Sequence, residues 1–177
     1  MLVLDRSGSI EESGALQQVK QTAIDFLSQL DWSRDEAGLV TYNSTATRDV
    51  GLGSDVQELE DSINAMTSEG GTNIAAGVAL ATVELQSTPV ATHSQRVIVL
   101  LTDGQAKGDE LQARAAAAYA HTVGIRLITI GLGATNAALL EQIASSPTDY
   151  HHAPTSDDLA AIYRAIVQEL SCVESTP

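Results

Sequence analysis

The sequence predicts a doubly wound α/β fold: a mostly parallel open sheet of about six strands, one antiparallel edge strand, and helices on both faces. Two observations carry this expectation. Short runs rich in Leu, Val and Ile alternate along the whole chain with longer stretches whose apolar residues recur at helical spacing, and right-handed crossovers leave few other ways to connect such an order. The strand-like runs are also apolar without alternation, as strands covered on both faces are.

The elements follow in order. Leu2-Val3-Leu4 opens the sheet. Ser9-Ile10-Glu11-Glu12 has the spacing of a capping box, after which Leu16, Val19, Ala23, Ile24, Leu27 and Leu30 mark one long first helix. Ala37 to Tyr42 and Thr45 to Val50, with Asn43-Ser44 between them, read as a tight hairpin that supplies the antiparallel strand. A second capping-box spacing at Ser54 starts a short helix through Ile63, and Ser68-Glu69-Gly70-Gly71 then requires a loop. Thr72 leads an Ala-rich helix to Gln86, and Arg96 to Leu101, the most hydrophobic strand candidate, belongs in the centre of the sheet. Asp109 to His121 is helical, Ile125 to Ile130 a strand, Ala137 to Ala144 a helix, Tyr150 to His152 extended, and Thr155 to Leu170 the final helix. Residues 1–171 form a single domain in this reading, with 172–177 a frayed tail.

Composition narrows the function. The chain has 177 residues, 44% hydrophobic but only 3% aromatic, so its core rests on Val, Ile, Leu and Ala. A net charge of -14, with nine Lys and Arg scattered along the chain, repels phosphate backbones and argues against nucleic acid and anionic membranes as partners. No apolar run is long enough for membrane insertion, and no segment has signal-peptide character, so the chain as written is expected in the cytoplasm, or at the cell surface or secreted if it is an excised fragment. Cys172 is the only cysteine, which excludes an internal disulfide and a thiolate zinc cage.

The chemistry is expected at two strand ends. Asp5-Arg6-Ser7-Gly8-Ser9 follows the first strand and Thr102-Asp103-Gly104 follows the strongest one. Ligands of doubly wound sheets bind outside the carboxyl ends of strands, where the strand order reverses. If these two strands are neighbours there, Asp5 and Asp103 converge, within reach of the loop Gly70-Gly71-Thr72. These pieces resemble the metal-ion-dependent adhesion site of the von Willebrand factor type A domain family, whose pattern is Asp-x-Ser-x-Ser, then a Thr, then an Asp. The resemblance spans essentially the whole chain. It implies that Asp5 anchors a divalent cation, that Ser7 and Ser9 supply hydroxyl oxygens, that Thr72 binds directly or through water, and that Asp103 acts through water. Mg²⁺ suits such hard oxygen ligands, with Mn²⁺ and Ca²⁺ as alternatives. It further implies a protein partner that presents a Glu or Asp carboxylate to the ion.

Plainer roles compete for the same residues. Ser9 and Thr72 could be ordinary helix N-caps, and Asp103-Gly104 alone is a common turn pair. His93, His121, His151 and His152 lack metal-ligand spacing and read as surface or loop residues, while Gly131-Leu132-Gly133-Ala134-Thr135-Asn136 reads as a strand-to-helix turn rather than a dinucleotide loop. Two rival functions remain. One is a phosphoryl-transfer enzyme with Asp5 as nucleophile; against it, Ser7 stands where a second carboxylate would, and Arg6 and Lys107 are expected to face solvent. The other is an intracellular docking module for an ATPase or chelatase partner, which would use the same site.

Overall fold

Leu2 and Leu4 point to one side of the first strand and Val3 to the other, and all three are buried, so this strand has helices above and below it. The computed structural model describes residues 1–53, 55–87, 95–103 and 109–173, without the side chains of Ser156 and residues 171–173. Ser54, His93, Gly104 and Lys107 therefore lie outside the described residues, as does the side chain of Cys172. The strands are β1 (Leu2–Asp5), β2 (Ala37–Tyr42), β3 (Ala46–Gly53), β4 (Val97–Thr102), β5 (Arg126–Leu132) and β6 (Tyr150–Ala153). They form one sheet in the order β3-β2-β1-β4-β5-β6. Every neighbouring pair is parallel except β2 with β3. The chain winds outward from β1 to one edge, then crosses back to β4 and winds to the other, so the order reverses between β1 and β4.

The helices are α1 (Gly8–Glu12), α2 (Leu16–Leu27), α3 (Val56–Ala65), α4 (Ile74–Ser87), α5 (Glu110–Thr122), α6 (Ala137–Ile143) and α7 (Ser156–Val173). Leu2, Leu4, Leu101 and Ile130 pack with α2, α3 and α7 on one face. Val3, Val40, Leu100 and Leu127 pack with α4, α5 and α6 on the other. Alternation along each strand thus divides one apolar run between two cores. Buried Ala113, Ala117 and Ala120 give α5 a flat inner face, consistent with a core built from small and branched residues.

Several local expectations need correction. The long first helix is two helices, because Gly14 adopts φ +70° and ends the first after Ser13. The capping box at Ser9 does not form: Ser9 lies inside α1, and Ser7 holds the N-cap position without a side-chain cap bond. Asp55 caps α3, accepting from the Glu58 N–H at 3.1 Å. Asn73 rather than Thr72 caps α4, its Oδ1 accepting from the Ala76 N–H at 2.9 Å. The hairpin connection spans Asn43 to Thr45, with Tyr42 opposite Ala46. A short 3₁₀ turn at Pro147–Asp149, which the pattern did not announce, precedes β6. α7 runs on to Val173, and residues 174–177 lie outside the described residues. Gly133, at φ +66°, turns the chain from β5 toward α6, capped by Asn136, as a strand-to-helix turn requires.

Two buried polar features mark how α7 is held. Arg126 on β5 pairs with Asp149, which is 2% exposed, and lies 2.6 Å from Glu169 on α7. The Tyr163 ring stands 5.0 Å from that of Phe26, and its buried hydroxyl has no hydrogen-bond partner among the described residues. An unsatisfied buried hydroxyl costs about 1–3 kcal/mol. Tyr163→Phe is therefore expected to match or exceed the wild type in urea unfolding. A clear loss of stability would show that the hydroxyl is partnered in solution.

Candidate metal centre

β1 ends at Asp5 and β4 at Thr102, and the two strands are parallel neighbours. Asp5 and Asp103 thus leave the sheet side by side where the strand order reverses, the place at which doubly wound sheets take ligands. Asp5 is fully buried. Its Oδ1 accepts the Ser7 N–H at 2.8 Å and its Oδ2 accepts the Thr102 hydroxyl at 2.6 Å. The Ser7 and Ser9 hydroxyls lie 3.0 Å apart, and Ser9 donates to Asp103 Oδ1 at 2.7 Å. The Ser13 hydroxyl, which also donates to the Ile10 carbonyl, stands 3.2 Å from Asp103 Oδ2. Four of the five expected ligands therefore belong to one connected cluster, and Ser9 turns its hydroxyl toward Asp103 instead of capping its helix.

Thr72 approaches from the loop between α3 and α4, which is stitched to the loop after β1. The Gly8 N–H donates to the Gly70 carbonyl at 3.0 Å and the Glu69 N–H to the Arg6 carbonyl at 2.8 Å. The Ser68 hydroxyl donates to the Ser7 carbonyl. Gly70 sits at φ +76°, and a Cβ there or on Gly71 would stand 3.2 Å from the Ser44 hydroxyl, so this close approach needs glycine. On the hairpin side, the Gly71 N–H donates to the Ser44 hydroxyl at 2.9 Å and the Asn73 N–H to the Asn43 carbonyl at 2.7 Å. Thr72 is half-buried between these anchors, and Asn73 rather than Thr72 takes the capping role.

The electrostatics follow from burial. Loss of solvent pushes the Asp5 carboxyl from its ordinary 3.8 up to about 6, against the pull of its Ser7 and Thr102 donors, and the neighbouring Asp103 adds to the rise. Burial also raises Asp103, despite its Ser9 and Ser13 donors. Arg6 supplies no relief. Its side chain is mostly buried, not solvent-facing as expected, and it pairs at 3.6 Å with Glu69. Two carboxylates are thus sheltered together without a cationic side chain paired to Asp5 among the described residues, an arrangement that a bound cation would relieve. The donors present are carboxylate and hydroxyl oxygens, which fit a hard divalent ion. Among the described residues, no group of three or more His, Cys, Asp or Glu gathers to hold a metal by another route. His152 instead contacts the Gly133 carbonyl at 2.8 Å, His151 is half-buried on β6, and His121 lies on α5.

The structure adds supporting residues that pattern reading passed over: Thr102 on Asp5, Ser13 on Asp103, Ser68 on Ser7, and Asn43 with Ser44 beneath the Thr72 loop. Thr102 carried a usable signal, being the one polar residue that closes an otherwise apolar central strand. The others are common loop residues whose partners are remote in sequence.

The chain is thus a doubly wound α/β domain with carboxylates and hydroxyls gathered at its switch point. The chain belongs to the von Willebrand factor type A domain family, whose model matches residues 1–168. It is 31% identical to mouse calcium-activated chloride channel regulator 3A-1 over 148 residues, covering 81% of this chain and 16% of that protein. It is 33% identical to rhesus macaque calcium-activated chloride channel regulator 1 over 132 residues, covering 70% of this chain and 14% of that one. The chain thus spans only a small part of the curated relatives' length. Among solved structures, proximal thread matrix protein 1 of the mussel byssus, with a zinc-occupied metal-ion-dependent adhesion site, superimposes with a TM-score of 0.80 at 25% identity, over 97% of this chain and 44% of that one. The von Willebrand factor domain of the pilus tip protein Mfa5 from Porphyromonas gingivalis shares the fold, with a TM-score of 0.85 at 15% identity over 99% and 95% of the two chains.

Proposed function

We propose that this domain is a divalent-cation-dependent protein-binding module, in which Asp5, Ser7, Ser9, Thr72 and Asp103 hold the ion and an acidic side chain of a partner completes its shell. The observation that carries this reading is the buried Asp5 carboxylate linked through Ser7 and Ser9 to the half-buried Asp103 carboxylate where β1 and β4 end. Neutral hydroxyl ligands leave a bound Mg²⁺ incompletely neutralised, so it retains attraction for an incoming Glu or Asp carboxylate. The likeness to a matrix protein whose corresponding motif holds zinc supports a divalent ion here, with Mg²⁺ preferred on the hardness of the oxygen donors. Asp5 makes a poor nucleophile, since it is fully buried and both its oxygens already accept hydrogen bonds.

The test is calorimetric titration of the metal-free chain with Mg²⁺ and with Mn²⁺, followed by capture of partners from the native organism with and without EDTA. Thr72→Ala is expected to weaken cation affinity while leaving the circular dichroism spectrum unchanged, and capture should vanish with EDTA. Wild-type affinity in Thr72→Ala, or capture indifferent to EDTA, would remove the case for the site.

A further inference from the structure

Thr72 stands two residues before α4, so the start of that helix sets where its hydroxyl lies. The first turn of α4 is capped from two sides. Asn73 serves the Ala76 N–H from within the chain segment. Asp109, at the N-terminal end of α5, reaches across: its Oδ2 accepts the Ala75 N–H at 3.1 Å. The hairpin holds the loop at Gly71 and Asn73, whereas Asp109 holds the helical turn that follows at Ala75. Asp109 also follows Asp103 in the chain, so one short stretch of sequence both contributes a carboxylate to the cluster and ties the opposing loop to it.

We infer that Asp109 is a positioning residue of the cation site, fixing Thr72 by binding the Ala75 amide in the first turn of α4. This rests on the reading above that Thr72 is a ligand. The role belongs to the acceptor oxygen and not to the negative charge. Asn at this position keeps an oxygen for the Ala75 N–H, while Ala leaves that amide to water and loosens the first helical turn.

The experiment compares Asp109→Ala, Asp109→Asn, Thr72→Ala and the Thr72→Ala/Asp109→Ala double variant in the full chain. Mg²⁺ alone is titrated by calorimetry, and amide exchange at Ala75 is followed in the metal-free protein. Asp109→Ala should weaken Mg²⁺ binding roughly tenfold, the effect common for groups that orient metal ligands, and should speed Ala75 exchange. Asp109→Asn should restore both toward wild type. The double variant should bind no more weakly than Thr72→Ala, because the lost interaction acts through Thr72. Equal losses in Asp109→Asn and Asp109→Ala would assign the effect to charge and overturn the inference, as would independent losses in the double variant. Wild-type Mg²⁺ binding with an unaffected Asp109→Ala would sink the role of Asp109 alone. Absence of Mg²⁺ binding in the wild type would sink the cation reading, and this role with it.

Discussion

Asp5→Asn is expected to abolish divalent-cation binding and, in EDTA at neutral pH, to make the chain more stable than the wild type. The two effects share a cause. Burial pushes the Asp5 carboxyl from 3.8 to about 6, so the folded chain holds this proton more tightly than the unfolded chain does. The sign is that of a raised acid. Its contribution to stability is fully present below the unfolded value of 3.8 and is lost as pH rises through about 6. Above that window, the metal-free wild type carries an ionised buried carboxylate that Asn does not. A shift of about two units corresponds to about 2–3 kcal/mol, enough to move a domain of this size by several degrees. The Asn Oδ1 can still accept the Ser7 N–H, and the Thr102 hydroxyl can rotate to accept from the new amide. Thermal unfolding in EDTA at pH 5 and pH 7.5 checks this. Asn should gain most at the higher pH, and Mg²⁺ should stabilise only the wild type. A variant less stable than wild type at pH 7.5 would show that the hydrogen bonds of Asp5 outweigh its desolvation.

That trade locates the boundary between what the sequence shows and what it hides. Asp5 and Asp103 were legible because one closes an apolar strand and the other follows directly after one, and strand ends at a switch point face a ligand whatever the rest of the chain does. Ser7 and Ser9 were legible only by their spacing from Asp5. The competing role of Ser9 and Thr72 as caps could not be dismissed, since capping and cation binding use the same short hydroxyl residues at the same helix starts. The structure separates the two uses: Ser9 bonds Asp103 across 94 positions, and Asn73 takes the capping role beside Thr72. The first helix misled for a related reason. Apolar spacing continues from Ile10 through Leu27, and only the positive φ of Gly14 reveals the break, which frees Ser13 to reach Asp103. Asp109 was unreadable because its partner amide carries no sequence signature at all.

The same coupling of packing to site geometry predicts a large effect at a residue that touches no ligand. Gly77 lies in the middle of α4, where Ala would ordinarily strengthen the helix by about 1 kcal/mol. Here it faces the sheet. A Cβ would stand 2.9 Å from Tyr42 Cδ1, 3.0 Å from Val3 Cγ1 and 3.1 Å from Tyr42 Cγ. Neither neighbour can step aside cheaply. Val3 and Tyr42 are fully buried, and the Tyr42 hydroxyl is tied to the Leu101 carbonyl at 3.2 Å. α4 must therefore lift from β1 and β2, at the cost of about 1–3 kcal/mol typical of overpacked cores, so Gly77→Ala should be destabilised despite its better helix propensity. Because α4 begins just after Thr72, the same displacement should shift Thr72 relative to β1 and, on the proposed role of Thr72 as a ligand, weaken cation affinity as well. Urea unfolding and Mg²⁺ calorimetry measure the two losses, and trimming the obstruction with Val3→Ala in the Gly77→Ala background should recover affinity more than stability, since it also opens a cavity. Should Gly77→Ala prove as stable as wild type with unchanged affinity, the contact between α4 and the sheet is slack, and the position of Thr72 is set by its loop alone.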